Sequence, residues 1–521
     1  MKKKLKQQKE LIVQEEETVT IPEEQPEVKV ESFWTFMCHR EQLISLAVLI
    51  ILLLGIGAFM RTYYEIPFIY SDSNTYVKTA MDDDFDIYRP NGYPHFLQFV
   101  HGITPKLSGI FWSQYLMFAV STLILLFSAK YVLKIKNGIF WAMSLLAILS
   151  ARLIFSTNYI MSDSIFTSLC ALFMTSCLWA IHKRSYTWMI IGLIILWPMC
   201  SIRYSGLFFI PVLLVTYIVS LLGVRKIVPW FLLLLPPLLG VLFYKTTRAE
   251  YKEVTDRDVF AGFAGWQKIN NASVLFPEAK EIPMRKFHGS EVRKLHVYMQ
   301  SVPDSVFSAE RTFSTDYMWN NKGPYKQYTF KKCMEFKRLL GLQWIISSEV
   351  FGRYADQLVK QEPFRYCKLY ILPSLWSNTK FHPFAEENTV FSVPDLYQQY
   401  YGIDLTDFKR EVSFFQKTDG VRRIAQVIYW ICAVISALLF FIMMRKECFK
   451  DRAWLCLFVF MLSFIFIIGG QTISCPCTTW RYTMCFYQIS LVFMFAFLSY
   501  LLDSDFWQKL ISLVKKEQGK D

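Results

Sequence analysis

The chain has 521 residues, of which 53% are hydrophobic and 17% aromatic, and its formal net charge is +13. This apolar content exceeds what one soluble core needs, so it predicts an α-helical polytopic membrane protein. The positive charge does not indicate a nucleic-acid-binding protein, because the basic residues lie in short loops between apolar runs rather than on one soluble face.

The apolar runs predict about ten transmembrane helices, since roughly 20 residues cross the ~30 Å of hydrocarbon in a membrane. The runs begin near Leu43, Gly109, Ile139, Ser164, Thr187, Leu207, Ile227, Ile424, Trp454 and Met484. With ten crossings the basic loops fall on one side, which the positive-inside rule identifies as cytoplasmic. The long segment between the seventh and eighth runs then faces outside.

Five segments follow from this topology. Residues 1–41 are expected to be a cytoplasmic disordered tail, because they are polar and rich in Lys and Glu. Residues 42–246 are assigned to transmembrane helices 1–7, with a catalytic first outer loop at 62–108, and residues 422–502 to helices 8–10. Residues 247–421 are predicted to form a mixed, mostly helical extracytoplasmic domain, and residues 503–521 a cytoplasmic interfacial helix and tail.

Two features of the outer segment give more specific expectations. An amphipathic run indicates two successive helices, at residues 327–340 and 343–360, and Pro363 ends the second. Cys333 and Cys367 lie in the same segment and could form a disulfide in an oxidising compartment. Two free thiols are the alternative.

The first outer loop contains an acidic stretch, Asp82 to Asp84 followed by Asp86. Carboxylate clusters bind hard divalent cations, so a metal site is one interpretation. The pattern favours a solvated acidic loop instead. We therefore predict no metal and no other cofactor.

Asp72 and Asp163 are the candidate catalytic carboxylates. Asp72 follows the first span between Ser71 and Ser73, and Asp163 opens the fourth span on the same outer face. Either residue could simply cap a helix or complement its dipole. The alternative is a carboxylate that deprotonates or orients a hydroxyl group beside the membrane. If the two helices are neighbours, the two residues share one site.

Arg89, Arg203 and Arg481 lie in or beside short outer loops, each next to a Pro or a Tyr. Snorkelling of the side chain to the membrane interface explains any one of them. Three arginines on the side that the positive-inside rule depletes favour an anionic ligand, because guanidinium groups match phosphate oxygens.

These motifs, in this order, resemble those of the membrane-embedded class C (GT-C) glycosyltransferases. The similar branch contains the protein O-mannosyltransferases and the bacterial transferase that adds aminoarabinose to lipid A. The matching positions are Asp72, Tyr76 and Ala80, then Arg89-Pro90 and Gly92-Tyr93-Pro94, then Ser162-Asp163, and finally Arg481-Tyr482. The chain departs from many relatives in having Asp72-Ser73 where they have two adjacent acidic residues.

The resemblance implies a GT-C-like fold and an inverting glycosyltransferase that moves a sugar from a polyprenyl-phosphate donor to a hydroxyl group of a lipid, glycan or protein. It implies that Asp72 and Asp163 are catalytic, that Arg89, Arg481 and Arg203 bind the donor phosphate, and that Tyr76, Tyr93 and Tyr482 bind substrate. The expected location is a bacterial inner membrane, with the site facing outside and in contact with membrane lipid. A polymerase or ligase of lipid-linked glycans is the alternative enzyme. A transporter, whose site should lie at the membrane midplane, is the alternative from another class.

Overall fold

The computed structural model describes residues 31–379, 393–405, 419–444, 450–475, 481–482 and 484–502. These residues are 81% helical and form no strand beyond an isolated parallel bridge between Phe68 and Tyr159. Most of the predicted N-terminal tail and the predicted C-terminal interfacial helix lie outside the described residues.

We keep the name outer segment, after its predicted location, for residues 247–421. From residue 31 to the start of this segment, the described chain forms eleven helices. They are α1 (Phe33–Cys38), α2 (Arg40–Tyr63), α3 (Ser71–Asp82), α4 (Gly92–Ile103), α5 (Leu107–Val132), α6 (Asn137–Ile148), α7 (Ala151–Ser156), α8 (Ser162–Lys183), α9 (Tyr186–Ile202), α10 (Ile210–Leu221) and α11 (Leu235–Thr255). The 3-10 segments Tyr204–Phe209 and Val228–Leu234 lead directly into α10 and α11.

The outer segment and the last spans supply the remaining described helices. They are α12 (Ala264–Ala272), α13 (Phe276–Ala279), α14 (Ser290–Gln300), α15 (Ala309–Ser314), α16 (Asp316–Trp319), α17 (Pro324–Phe336), α18 (Leu340–Gln361), α19 (Pro363–Tyr366), α20 (Leu372–Thr379), α21 (Pro394–Tyr401), α22 (Asp419–Ile442), α23 (Arg452–Ser474) and α24 (Met484–Leu501). Short 3-10 segments lie at Ser273–Leu275, Met284–Lys286 and Asp304–Val306, and a π-helical segment lies at Cys367–Ile371.

Eight helices in the described ranges are long and apolar enough to cross a membrane. They are Arg40–Tyr63, Leu107–Val132, Asn137–Ser156, Ser162–Lys183, Tyr204–Leu221, Val228–Thr255, Arg452–Ser474 and Met484–Leu501. The protein is therefore a helical, multi-pass membrane protein. The other two predicted runs lie in the shorter apolar helices Tyr186–Ile202 and Val427–Ile442, so the count of ten stays a prediction.

Helix α8 lies at the centre of the membrane part, in contact with α5, α9, α10, α23 and α24. In its most apolar stretch 94% of the residues are buried, whereas in that of the span ending in α11 17% are buried. Small polar residues favour this close packing, because Thr167 and Thr175 donate to carbonyl groups one turn earlier and so satisfy their own hydroxyl groups. Asp163 lies in the first turn of this buried helix.

The outer segment has its own apolar core, built largely where α12 packs against α18. The rings of Trp266 and Trp344 stack with their centroids 3.8 Å apart. The two helices come so close at Gly265 that a Cβ atom there would lie 1.7 Å from the carbonyl oxygen of Ser348. This contact requires glycine.

The two predicted amphipathic helices of the outer segment are confirmed as α17 and α18, which are separated by Lys337 in a left-handed conformation. Cys333 and Cys367 are free thiols, so the disulfide is not formed. The described part of 247–421 is mostly helical and forms no strand. The predicted boundaries at 42, 247 and 422 fall inside α2, α11 and α22, because these helices continue across them.

Candidate active site

A short main-chain bridge brings together the two loops that carry the candidate carboxylates. The Phe68 N–H donates to the Asn158 carbonyl at 2.7 Å, and the Ile160 N–H donates to the Phe68 carbonyl at 3.1 Å. Helix α3 begins three residues after Phe68, and α8 begins three residues after Tyr159. Asp72 and Asp163 therefore occupy equivalent places, each in the first turn of the helix that follows its bridging segment.

The equivalence extends to the sequence, in which Ser-Asp-Ser occurs at 71–73 and again at 162–164. The Ser73 hydroxyl accepts from the Tyr70 N–H at 2.9 Å and donates to the Ile160 carbonyl at 2.8 Å, so it fixes α3 against the second bridging segment. Ser73, rather than Asp72, thus satisfies the backbone at the start of α3. The interpretation of Asp72 as a helix cap is wrong, and its carboxylate points to two arginines instead.

Three arginines and two aspartates form one continuous chain of ion pairs, in the order Arg89, Asp72, Arg481, Asp163 and Arg203. Arg89 Nη2 donates to Asp72 Oδ1 at 2.6 Å, and Arg481 Nη2 donates to Asp72 Oδ2 at 3.1 Å. The same Arg481 nitrogen lies 3.2 Å from Asp163 Oδ2, and Arg203 Nη1 donates to Asp163 Oδ1. The structure thus brings together all five charged residues that the sequence nominated.

The chain of ion pairs has an open end and a closed end. The side chains of Arg89 and Asp72 are each 20% exposed, whereas that of Asp163 is 4% exposed. A cavity at the closed end, lined in part by Asp163, Arg203 and Arg481, has a volume of about 10 Å³. That volume is comparable to a single water molecule. The Arg89 and Asp72 end is therefore the more accessible one, and a ligand that binds there displaces existing ion pairs.

Each arginine of the chain also lies against an aromatic ring. The guanidinium carbon lies 5.3 Å from the Tyr76 ring centroid in Arg89, 5.1 Å from that of Tyr482 in Arg203, and 5.0 Å from that of Tyr70 in Arg481. Such contacts hold the guanidinium planes without using their N–H groups. The donors of the arginines stay available for carboxylate or phosphate oxygens.

Tyr93, the third predicted substrate-binding tyrosine, lies behind Tyr76. Its ring meets the Tyr76 ring edge-on at 4.8 Å, its hydroxyl donates to Gln114 Oε1 at 3.0 Å, and its side chain is fully buried. Gln114 in turn donates to the carbonyl groups of Thr157 and Tyr159. Tyr93 therefore supports Tyr76 from α4, and its contact with substrate stays a prediction.

The charges of the cluster set the protonation state of Asp72. Burial raises the pKa of its carboxyl group, but the nearby Arg89 and Arg481 lower it by more, so the net pKa is below the ordinary value of 3.8. Asp72 is thus ionised at neutral pH. In this arrangement it is a weak base, because two guanidinium groups stabilise the carboxylate.

Asp86 is a further acidic residue of the site that the sequence interpretation missed. Asp82, Asp83 and Asp84 are exposed as expected, but Asp86 is 2% exposed, so the solvated-loop interpretation is wrong for this residue. Its Oδ1 accepts from the Tyr88 N–H at 2.7 Å, and its Oδ2 lies 3.6 Å from Arg89 Nη1. Burial raises its pKa against the opposing effect of Arg89. The sequence signal for this ion pair was the separation of three residues between Asp86 and Arg89.

The arrangement suits an anionic ligand, since three guanidinium groups face two carboxylates at the ends of membrane helices. In the described part of the chain no group of three or more His, Cys, Asp or Glu side chains is placed to hold a metal ion. Comparisons of the chain with protein-family models and with curated proteins found no match.

Proposed function

We propose that the protein is an inverting glycosyltransferase that moves a sugar from a polyprenyl-phosphate donor to an acceptor hydroxyl group on the extracytoplasmic face of the membrane. The observation that carries the proposal is the five-residue chain of ion pairs from Arg89 to Arg203. It has an excess of guanidinium groups, each against an aromatic ring, beside carboxylates at the ends of apolar helices.

The donor phosphate binds at the open end, where Arg89 and Arg481 present N–H groups. In the ligand-free arrangement these groups donate to Asp72 at 2.6 and 3.1 Å. The phosphodiester of the donor presents two unesterified oxygens that share one negative charge, so it can accept from both arginines as a carboxylate does. The two arginines then stabilise the charge that develops on the phosphate as it leaves, without the need for a proton donor.

Donor binding also activates Asp72. Arg89 and Arg481 hold the pKa of Asp72 low, so loss of these partners to the phosphate raises it toward or above the ordinary value. The charge that develops on the phosphate as the sugar leaves raises it further. The carboxylate therefore becomes a competent base only when the donor is bound, beside the sugar that the acceptor attacks.

The chemical step is a single displacement at the anomeric carbon. The acceptor oxygen forms a bond to this carbon, the bond from the carbon to the phosphate oxygen breaks, and its electron pair stays on the phosphate. Asp72 takes the hydroxyl proton as the new bond forms. Because attack and departure occur on opposite faces, the anomeric configuration inverts. Asp163 orients Arg481, since both groups of that pair lie near the closed end.

Incubation of the purified full-length protein with radiolabelled polyprenyl-phosphate sugars and a panel of lipid, glycan and peptide acceptors tests the proposal. We expect release of polyprenyl phosphate that depends on acceptor and is lost in Asp72→Asn. Asp82→Asn is the matched control, because Asp82 is an exposed aspartate on the same helix. Absence of release with every donor and acceptor, from protein that melts cooperatively, would contradict the proposal.

A further inference from the structure

A second cationic cavity lies in the outer segment, away from the chain of ion pairs. It has a volume of about 290 Å³ and lies between α17, α18, the start of α14 and the residues after α11. Four basic side chains line it, and Glu291 is its acidic lining residue. The basic residues are Arg257, Lys332, Arg338 and Arg353. The cavity is large enough for a phosphate group with its substituents.

Two of these cations are available to a ligand. Arg257 is held by both oxygens of Glu349, and Lys332 pairs with Glu335. Arg338 and Arg353 are exposed, and neither has a carboxylate group within 4.0 Å among the described residues. Their hydrogen-bond partners are neutral. Arg338 donates to Gln343 Oε1 at 3.2 Å, and Arg353 Nε donates to the Glu349 main-chain carbonyl at 3.4 Å.

At Phe336 the rim of the cavity adjoins an exposed apolar junction, where α17 ends and α18 begins. Met334 is 82% exposed and Leu339 83%, and the three other large apolar residues of this junction are also exposed, namely Phe336, Leu340 and Leu342. Exposed apolar side chains interleaved with basic ones are typical of protein surfaces that meet anionic lipid headgroups. A soluble surface would not expose so many neighbouring apolar groups without a partner.

The cavity also lies close to the candidate active site. Gln343, which lines the cavity, directly precedes Trp344, and the Trp344 ring meets the Tyr88 ring edge-on at 5.5 Å. Tyr88 directly precedes Arg89 of the chain of ion pairs. The cavity therefore lies near the ends of the membrane helices that carry this chain.

We propose that this cavity binds the phosphate head group of an anionic membrane lipid, with the acyl chains of the lipid lying over the apolar rim at the α17–α18 junction. Arg338 and Arg353 donate to the phosphate oxygens. Lipid binding there would fix α18, and with it Tyr88, relative to the membrane. The inference does not depend on the proposed transferase activity, because binding is measured without turnover.

Native mass spectrometry of the full-length protein, titrated with dioleoyl phosphatidylglycerol in neutral detergent, measures this binding directly. We expect the tightest phosphatidylglycerol site to weaken by about tenfold or more in Arg338→Gln/Arg353→Gln, because two charge-assisted hydrogen bonds are lost. Arg338→Lys/Arg353→Lys should retain part of the affinity. The matched control is Arg285→Gln/Lys322→Gln, which removes the same charge from exposed positions that do not line the cavity.

Two further arms separate a lipid from free phosphate. Leu339→Ser/Leu340→Ser should weaken phosphatidylglycerol binding several-fold, and millimolar inorganic phosphate should displace little of the lipid. Wild-type affinity in Arg338→Gln/Arg353→Gln would overturn the site. Full displacement by inorganic phosphate, together with wild-type lipid affinity in the leucine variant, would overturn the lipid as its occupant, as would binding of dioleoyl phosphatidylcholine with equal affinity.

Discussion

Asp72→Asn removes one negative charge from the chain of ion pairs while it preserves the shape of the side chain. The wild-type carboxylate accepts from Arg89 at 2.6 Å and from Arg481 at 3.1 Å. An asparagine oxygen can keep one of these bonds, but its NH₂ group must face the other guanidinium. Loss of one charge-assisted hydrogen bond costs about 1.5–3 kcal/mol when it is buried. The cost should be at the lower end here, since both partners are 20% exposed.

The same change should tighten donor binding, because Asp72 competes with the phosphate for its two arginines. Two like charges about 4 Å apart repel by about 1 kcal/mol in water and by about 4 kcal/mol at an effective dielectric constant of ~20. Partial exposure places the site between these limits, so the dissociation constant of the donor should fall by about tenfold. Turnover should fall by about 10² or more, the scale of general-base catalysis.

The assay combines three measurements on Asp72→Asn, on Asp82→Asn and on the wild type: binding of a polyprenyl-phosphate sugar, rate of sugar transfer, and thermal melting. Slow transfer with tighter donor binding supports the competition between Asp72 and phosphate. Transfer at the wild-type rate would refute the catalytic role of Asp72. Weaker donor binding from a well-folded variant would refute the idea that Asp72 and the donor share Arg89 and Arg481.

Three more predictions address the neighbouring residues and the topology. Arg481→Lys should weaken donor binding partly and Arg481→Ala further, because lysine keeps the charge and loses the bidentate fork; equal donor affinity in all three proteins would exclude phosphate binding by Arg481. Burial raises the pKa of Asp86 above 3.8, so the folded state binds its proton more tightly than the unfolded state and stability falls as the pH rises through that window. Asp86→Asn should therefore melt higher than the wild type at pH 7 but not below pH 3.8, and a lower melting temperature at pH 7 would show that the ion pair with Arg89 dominates. In a cysteine-free background, a cysteine at Asn320 should react with an impermeant reagent from outside and one at Lys183 should not; labelling of both from the same side would disprove the topology.

The helices of the membrane part could be predicted because hydrocarbon imposes a length and an apolar composition on each of them. Every predicted apolar run coincides with a helix, and two of these helices are shorter than the eight that are long enough to cross a membrane. The end of α18 in the outer segment also has a local sequence signal, since Pro363 follows this helix closely. The segment boundaries at 247 and 422 have no such signal, because an α-helix can continue from lipid into water without any change in its backbone.

The sequence predicts which charged residues belong to the candidate site, but it does not predict which of them form ion pairs with each other. Asp72, Asp163 and the three arginines share one side of the membrane, which the charge pattern reveals. Arg481 is 409 positions from Asp72, and nothing local in the sequence pairs them. Asp86 was misread because three exposed aspartates precede it, while its burial depends on tertiary contacts.

The bridge between Phe68 and Tyr159 makes the candidate site sensitive to chain length rather than to side-chain identity. Each aspartate lies four residues after its bridging residue, and main-chain hydrogen bonds, which every residue except proline can donate, hold the bridge. One residue inserted between Phe68 and Asp72 would turn the carboxylate about 100° around α3, away from both arginines. The same insertion in the exposed stretch at Asp82 to Asp84 would leave the register of Asp72 intact. Insertions and deletions, more than substitutions, therefore define which parts of the first outer loop are free to vary.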